Sequence, residues 1–201
     1  MPTIYDLKPS FQRLLRPVCD WLARQGITPN QLTVGTALIS LAQGLWLALA
    51  PGARLPLLIL PLVLFVRMGL NAIDGMLAKE NGLQSRLGAV LNELGDVVSD
   101  TVLYLPFALI PGVNPVLVVL MVIAGILAEM TGVVTVQIGA SRRYDGPLGK
   151  SDRAFLFGCI AFILGVGIKP GVWIDVVLTV SLLLSFYTIY NRVRRGLREN
   201  T

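Results

Sequence analysis

Six long apolar stretches follow one another along the chain and predict membrane-spanning helices. A helix needs about 20 apolar residues to cross the hydrocarbon core of a bilayer. Turn-forming Pro-Gly pairs at 51–52, 111–112 and 170–171 separate three pairs of stretches. The predicted spans are 31–50, 56–78, 87–110, 115–139, 154–168 and 171–190. We therefore expect an all-α polytopic membrane protein with a single domain over residues 1–201, its six-span bundle covering 28–201.

The segment before the first stretch predicts a different kind of helix. Between Tyr5 and Gln25, apolar side chains recur at steps of three and four residues among basic ones. This spacing is typical of an amphipathic helix that lies in the membrane interface. We expect such a helix within residues 1–27, with a kink at Pro17. The apolar positions are Phe11, Leu14, Leu15, Val18 and Leu22.

Composition supports the membrane interpretation and narrows the chemistry. Of the 201 residues, 54% are hydrophobic and 14% are charged, whereas a soluble domain carries about 25% charged residues. Histidine is absent, which excludes Ser-His-Asp hydrolysis and His-ligated zinc in this chain. The two cysteines, Cys19 and Cys159, are too few for a zinc cluster or a disulfide framework.

Basic residues predict the orientation in the membrane. With the N-terminus inside, 14 lysines and arginines fall in cytoplasmic regions and only Arg54 and Lys169 in outer turns. This asymmetry predicts a protein of the inner (cytoplasmic) membrane with both termini on the cytoplasmic side. The net charge of +5 then suits anionic lipid and phosphate. No soluble basic surface with stacking aromatics is visible, so no nucleic-acid partner is expected.

Polar residues form two stripes within the second and third spans. Each stripe follows helical spacing and therefore lies on one helix face. Because the connection is short, we expect antiparallel neighbouring helices whose stripes face each other just under the cytoplasmic surface. The first stripe is Asn71, Asp74, Gly75 and Ala78; the second is Gly88, Asn92, Asp96 and Asp100.

The same register predicts an ion pair one turn deeper than these stripes. Arg67 and Asp100 should lie at one depth, and neither charge tolerates hydrocarbon alone. Glu129, in the fourth span, is the competing partner for Arg67 or a contact for substrate. Alternatively, Arg67 faces a water-filled cavity or binds substrate phosphate.

The clustered oxygen ligands suit hard divalent cations such as magnesium, manganese or calcium. Small residues at Gly75, Ala78 and Gly88 let a bulky group approach the helix backbones. The alternative is a polar helix–helix contact with no ligand. Several neighbouring carboxylates would repel without cations, which favours the metal site.

These residues resemble the signature of CDP-alcohol phosphotransferases, D-x2-D-G-x2-A-R-x8-9-G-x3-D-x3-D. The chain has Asp74-Gly75-x2-Ala78-Lys79-x8-Gly88-x3-Asn92-x3-Asp96, with every spacing matched. The resemblance extends to the six-span layout and to Thr28-Pro29-Asn30-x-x-Thr33, which is equally a plain helix start. Three positions depart from the signature: Asn71 and Asn92 replace the first and third aspartates, and Lys79 replaces the arginine.

The resemblance implies transfer of a phosphatidyl group from a CDP-linked donor such as CDP-diacylglycerol to a small polar alcohol, with release of CMP. It implies a homodimer and Mg²⁺ or Mn²⁺ as cofactor. Asp96 matches the general base. The implied metal ligands are Asn71, Asp74, Asn92 and Asp96, with Glu93 and Asp100 able to restore the lost charge. The implied nucleotide contacts are Asn71, Asp74, Gly75, Ala78, Lys79 and Gly88.

The loop between the fourth and fifth spans adds a second cationic cluster, composed of Arg142, Arg143, Lys150 and Arg153. It is either an acceptor pocket for a phosphate or another anion, or ordinary positive-inside charge. The rival to a lipid-synthesising transferase is a degenerate metal- or nucleotide-binding scaffold or a small transporter. A transporter more often shows internal repeats and helices broken at mid-membrane, and neither is evident here.

Overall fold

The structure, a computed structural model, describes residues 8–199, with side chains described from Gln12 onward. All secondary-structure elements in the described part of the chain are helices. Two 3₁₀-helices, Leu105–Leu109 and Thr135–Ile138, prolong the fourth and fifth α-helices. The α-helices are α1 Lys8–Arg24, α2 Pro29–Leu49, α3 Arg54–Glu80, α4 Arg86–Tyr104, α5 Pro115–Val134, α6 Lys150–Gly165 and α7 Val172–Glu199.

Local capping explains where several helices begin. Thr28 caps α2: its hydroxyl accepts from the Gln31 amide at 3.3 Å, and the Gln31 side chain accepts from the Thr28 amide at 2.9 Å. This capping box satisfies two backbone donors that the helix leaves unpaired. Ser85 caps α4 in a similar way by accepting from the Gly88 amide at 2.9 Å. Thr28-Pro29 therefore serves as a helix start.

Four helical segments are long and apolar enough to cross a membrane: α2, α3, α7 and the segment Pro115–Ile138. Helix α6 has 16 residues, and α4 carries the charged residues Arg86, Glu93, Asp96 and Asp100 within 19. The six predicted stretches nevertheless coincide with six consecutive helices. Helix α7 runs nine residues past the predicted end of the last span, to Glu199.

Helix α2 packs against both α3 and α4, while α6 packs on α3 and α7 on α5. The contact of α2 with α4 is close at Gly44, where an added Cβ would lie 2.2 Å from the carbonyl oxygen of Val102. In the apolar core the ring of Tyr104 stacks on Phe157 with 4.2 Å between centroids.

Helices α3 and α4 face each other, as the short connection predicts, but they are not closely packed. Their backbones make little contact, because α2 packs against both and holds them apart. Long side chains from α3 cross the gap instead, so the polar stripes still meet. The separation leaves a polar cleft between the two helices.

Helix α1 packs on the C-terminal part of α3 through Cys19 and Leu22. Leu14, Val18 and Trp21 on its other side are exposed. The helix therefore presents apolar side chains both to the protein and outward. The predicted interfacial helix also includes residues before Lys8 and the side chain of Phe11, which lie outside the described part.

Candidate active site

The carboxylate of Asp96 on α4 is held by side chains from two other helices. Its Oδ1 accepts a hydrogen bond from Asn71 Nδ2 of α3 at 2.8 Å and forms an ion pair with Lys150 Nζ of α6. Arg67 Nη2 lies 3.5 Å from the same oxygen. The side chain remains 20% exposed. A partly accessible carboxylate held by three helices is thus positioned to meet a ligand in the cleft.

Asp74 on α3 has very different surroundings. It is buried, and its Oδ2 accepts a hydrogen bond from Thr33 Oγ1 of α2 at 3.1 Å. Among the described residues, no lysine or arginine lies within 4.0 Å of this carboxylate. A buried carboxylate without a counter-charge is costly, and a bound cation would relieve that cost. Asp74 therefore fits the role of a metal ligand.

Arg67 and Asp100 meet at the bottom of the cleft, with 2.5 Å between Nη1 and Oδ1. Both residues are buried. Arg67 Nη2 also donates to the carbonyl oxygen of Asp96 at 3.0 Å. Arg67 thereby joins α3 to two successive turns of α4, at the depth that the register predicts.

Glu129 does not pair with Arg67, contrary to the alternative raised from the sequence. It lies among three other arginines: Arg153 Nη2 is 3.0 Å, Arg192 Nη1 is 3.4 Å and Arg142 Nη2 is 3.5 Å from its carboxylate oxygens. These arginines come from α6, α7 and the loop before α6. Glu129 on α5 therefore links this helix to α6 and α7 through ion pairs.

The four basic residues predicted to form one cluster separate into two groups. Arg142 pairs with Glu93 at 2.5 Å, Lys150 pairs with Asp96, and Arg153 lies 3.4 Å from Asp100. These three therefore border the cleft. Arg143, predicted to belong to the same cluster, instead pairs with Asp145 and Glu199, at 2.7 Å from each.

Asp145 holds this second group together outside the cleft. Its carboxylate is 2.7 Å from Arg143 and 2.6 Å from Arg195 of α7. Burial alone would raise the pKa of Asp145, but the hydrogen bonds from these two guanidiniums outweigh it and hold the pKa below its usual range. The group fastens the loop to α7.

The four carboxylates among the six predicted metal ligands are not brought together as one set. Glu93 and Asp100 are engaged by arginines. Between residues 8 and 199, no three acidic, cysteine or histidine side chains lie close enough to hold a metal ion. The donors that remain are the carboxylates of Asp74 and Asp96 and the amides of Asn71 and Asn92. Such an all-oxygen set fits Mg²⁺ or Mn²⁺.

A small residue opens the C-terminal end of α3. Gly75 is exposed, and an added Cβ would meet nothing within 4 Å. Gly75 and Lys79 line a cavity of about 520 Å³, together with residues of α1 that include Arg16. Gly88 differs, because its Cβ would lie 2.7 Å from Asn30 Oδ1. A Cβ at Gly88 would therefore displace the Asn30 side chain, whereas one at Gly75 would displace nothing.

The sequence pattern did not single out Arg192 as a functional residue. Its side chain is among the largest fully buried ones of the described part. It looked like ordinary cytoplasmic charge beside Arg194 and Arg195. The sequence does contain a signal for the burial of this arginine. Small polar residues precede it on one face of α7, at spacings of four, three and four residues. That face comprises Ser181, Ser185, Thr188 and Arg192.

A family model described as CDP-alcohol phosphatidyltransferase matches residues 26–188. The chain belongs to the CDP-alcohol phosphatidyltransferase family. It is 45% identical over 192 residues to the Escherichia coli inner membrane protein YnbA, covering 96% of this chain and 95% of that protein. It is 29% identical over 157 residues to archaetidylinositol phosphate synthase of Aeropyrum pernix, covering 78% and 76% of the two chains.

Solved structures of the Mycobacterium tuberculosis phosphatidylinositol phosphate synthase PgsA1 share the phosphatidyltransferase fold. The structure with CDP-DAG bound superposes with a TM-score of 0.76 at 20% identity, covering 92% of this chain and 94% of that one. A structure in complex with manganese and citrate gives 0.75 at 20% identity, covering 91% and 88%.

Proposed function

We propose that this phosphatidyltransferase-family protein moves a phosphatidyl group from CDP-diacylglycerol to a small polar alcohol and releases CMP. The observation that carries the proposal is the contrast between the carboxylate of Asp74 on α3 and that of Asp96 on α4. Asp74 is buried without a basic partner among the described residues, and Asp96 is partly exposed. Both occupy aspartate positions of the family signature.

The proposed cofactor is Mg²⁺ or Mn²⁺, held by Asp74 and Asp96 with the amide oxygens of Asn71 and Asn92. When bound, the cation would neutralise the donor diphosphate and stabilise charge on the departing CMP. Asn71 presents its amide nitrogen to Asp96 in this structure, and rotation of the amide would present its oxygen. Because two aspartates have become asparagines, we expect weaker cation binding than at a four-aspartate site. Glu93 and Asp100 join this shell only if they leave their arginines.

Asp96 is the proposed general base. Its carboxylate would take the proton from the acceptor hydroxyl as that oxygen attacks the β-phosphorus of the donor. The bond from this phosphorus to the oxygen of CMP breaks in the same transfer. Lys150 and Asn71 hold the carboxylate on one oxygen, Oδ1, and so leave Oδ2 for the hydroxyl.

We place the nucleotide at the cytoplasmic end of α3, in contact with Asn71, Asp74, Gly75, Ala78, Lys79 and Gly88. The open space at Gly75 lets a ligand approach the helix backbone. Lys79 supplies positive charge there without the bidentate geometry of arginine. The acceptor would then enter on the side of the cleft bordered by Arg142, Lys150 and Arg153.

The proposed setting is the inner membrane, with six spans, α1 in the interface and the cleft facing the cytoplasm. The outward apolar side chains of α1 and the concentration of basic residues at this end support that placement. The identity of YnbA as an inner membrane protein also supports it. We propose a homodimer on family grounds.

The test is CMP release by purified protein given CDP-diacylglycerol, Mg²⁺ or Mn²⁺, and a panel of small alcohols. We expect release that depends on one class of alcohol and on the cation. The matched control is Asp145→Asn, which removes a carboxylate at the same end of the protein but outside the cleft. Absence of release with every donor and acceptor would instead favour a non-enzymatic scaffold or a small transporter.

A further inference from the structure

The acceptor side of the cleft contains an internal anion. The guanidinium groups of Arg142, Arg153 and Arg192 converge on the carboxylate of Glu129, at 3.5, 3.0 and 3.4 Å. The Glu129 side chain is 8% exposed, and those of Arg153 and Arg192 are 3% and 2% exposed. Converging guanidiniums are the arrangement by which proteins hold a phosphate group. Here a side chain of the protein occupies that position.

Helix α5 is shaped to bring the arginines to Glu129. Gly125 and Gly132 lie four residues before and three after it, on the same helix face. An added Cβ at Gly125 would lie 3.1 Å from Arg153 Nε, and one at Gly132 would lie 2.5 Å from the carbonyl oxygen of Arg143 and 3.3 Å from Arg192 Nη1. The missing side chains therefore make the room that the guanidiniums of α6 and α7 fill.

The charges around Glu129 form one continuous network. It runs from Lys150 and Asp96 through Arg67, Asp100 and Arg153 to Glu129. Arg142 then links Glu129 to Glu93. Five basic side chains thus meet four carboxylates, which leaves one positive charge in excess. The basic members are Arg67, Arg142, Lys150, Arg153 and Arg192; the acidic members are Glu93, Asp96, Asp100 and Glu129.

We propose that Glu129 determines the acceptor class: it selects an alcohol that carries no phosphate. This inference rests on the proposed transferase function. A phosphate seated on the three guanidiniums would lie against the Glu129 carboxylate, and juxtaposed like charges disfavour the wrong partner. The two relatives whose names are synthases of inositol phosphate lipids would then differ from this chain in acceptor.

The binding test uses inorganic phosphate and the thermal unfolding of the purified protein in detergent. Wild-type protein should show no phosphate-dependent rise in Tm. Glu129→Gln should unfold at a lower temperature, because three buried guanidiniums lose their shared anion, and phosphate should restore part of the loss. Asp145→Asn is the matched control: it also deprives arginines of a carboxylate, but it should show no recovery with phosphate.

The activity test compares glycerol with glycerol 3-phosphate, and inositol with inositol phosphate, in CMP release. Wild-type protein should prefer the unphosphorylated alcohol by at least about tenfold, and Glu129→Gln should move that ratio toward the phosphorylated one by about tenfold. Wild-type preference for a phosphorylated alcohol would overturn the proposal. A folded Glu129→Gln protein that is indifferent to phosphate in both tests would overturn it as well.

The binding test and the activity test together distinguish failure of this proposal from failure of the proposed function. Absence of CMP release with every alcohol contradicts the transferase function, whereas the phosphate-dependent unfolding still decides the role of Glu129. If Glu129→Gln does not fold, the wild-type protein carries the test alone. Phosphate-dependent stabilisation of wild-type protein would then overturn the proposal, and preference for an unphosphorylated alcohol would support it.

Discussion

Arg67 and Asp100 form an ion pair of 2.5 Å between two helices, α3 and α4, whose backbones make little contact. The pair therefore fixes the width of the cleft at its inner end. Asp96 lies one helical turn before Asp100 on α4, and Arg67 also donates to its backbone carbonyl at 3.0 Å. The position of the proposed base thus depends on this arginine.

Removal of either member of the pair should destabilise the protein. Arg67→Met and Asp100→Leu each leave a buried charge without its nearest partner, which costs up to about 3–5 kcal/mol in the free energy of unfolding. The double variant should recover part of that loss. Recovery should be incomplete, because Asp100 also lies 3.4 Å from Arg153. Denaturant unfolding in detergent measures all three variants.

The control for this cycle is the exposed pair Arg16–Glu80, whose side chains are 57% and 41% exposed. Exposed pairs contribute about 0–1 kcal/mol, so Arg16→Gln should unfold nearly as the wild-type protein does. Strictly additive losses for Arg67→Met and Asp100→Leu would contradict a coupled pair.

Asp96→Asn should abolish turnover while the folded protein still binds the CDP-linked donor. General-base catalysis contributes about 10²–10⁴-fold to a rate, and we expect a loss of CMP release in that range. Donor binding, followed by calorimetry, separates loss of chemistry from loss of the site. Near-normal turnover of this variant would remove Asp96 from the role of base.

Gly75→Ala should weaken donor binding without destabilising the fold. No atom lies within 4 Å of the added Cβ, and alanine in a helix interior is favoured over glycine by about 0.5–1 kcal/mol. A ligand that approaches the backbone would meet the methyl group, and we expect a loss of affinity of about tenfold, or 1.4 kcal/mol. Calorimetric titration with the donor measures this.

Gly35 provides the matched control, because an alanine Cβ there also meets nothing within 4 Å. Gly35→Ala should give a similar gain in unfolding free energy with unchanged donor affinity. Equal donor affinity in Gly75→Ala and Gly35→Ala would argue against nucleotide contact at Gly75.

The stability of the folded protein should depend on pH through Asp145. Because its pKa is lowered in the folded protein, its ion pairs stabilise the fold fully above the unfolded-state pKa of about 4, and this contribution is lost as the pH falls through the folded-state value. The Tm of wild-type protein should therefore exceed that of Asp145→Asn near neutral pH. The two values should converge in acid, and a difference that persists to about pH 2 would contradict this assignment.

The pairing of residues between α3 and α4 could be predicted because a short connection limits the register of a helical hairpin. Asn71 meets Asp96 and Arg67 meets Asp100 as that register requires. The position of α2 between these helices could not be predicted. It depends on a close approach at Gly44, and glycine alone does not specify its partner.

The carboxylate partners of the arginines in the basic loop could not be predicted from the sequence either. Arg142 and Arg143 are adjacent, yet the first turns to Glu93 and the second to Asp145. Neighbouring side chains in a non-helical segment point in different directions, and no periodicity shows which carboxylate each will reach. The convergence on Glu129 likewise requires the packing of α5 on α7, which brings residues 63 positions apart together.

Each of the helices α3 to α7 contributes at least one member to the charge network, and this has a consequence for biosynthesis. The chain is made from its N-terminus, so Arg67 and Asp100 can pair as soon as α4 has followed α3. Glu129 on α5 has no such early partner, because Arg153 and Arg192 arrive only with α6 and α7. A nascent chain ending after α5 would carry an uncompensated carboxylate among apolar residues, which a membrane disfavours. The last three helices should therefore enter their final arrangement together, as one unit of assembly.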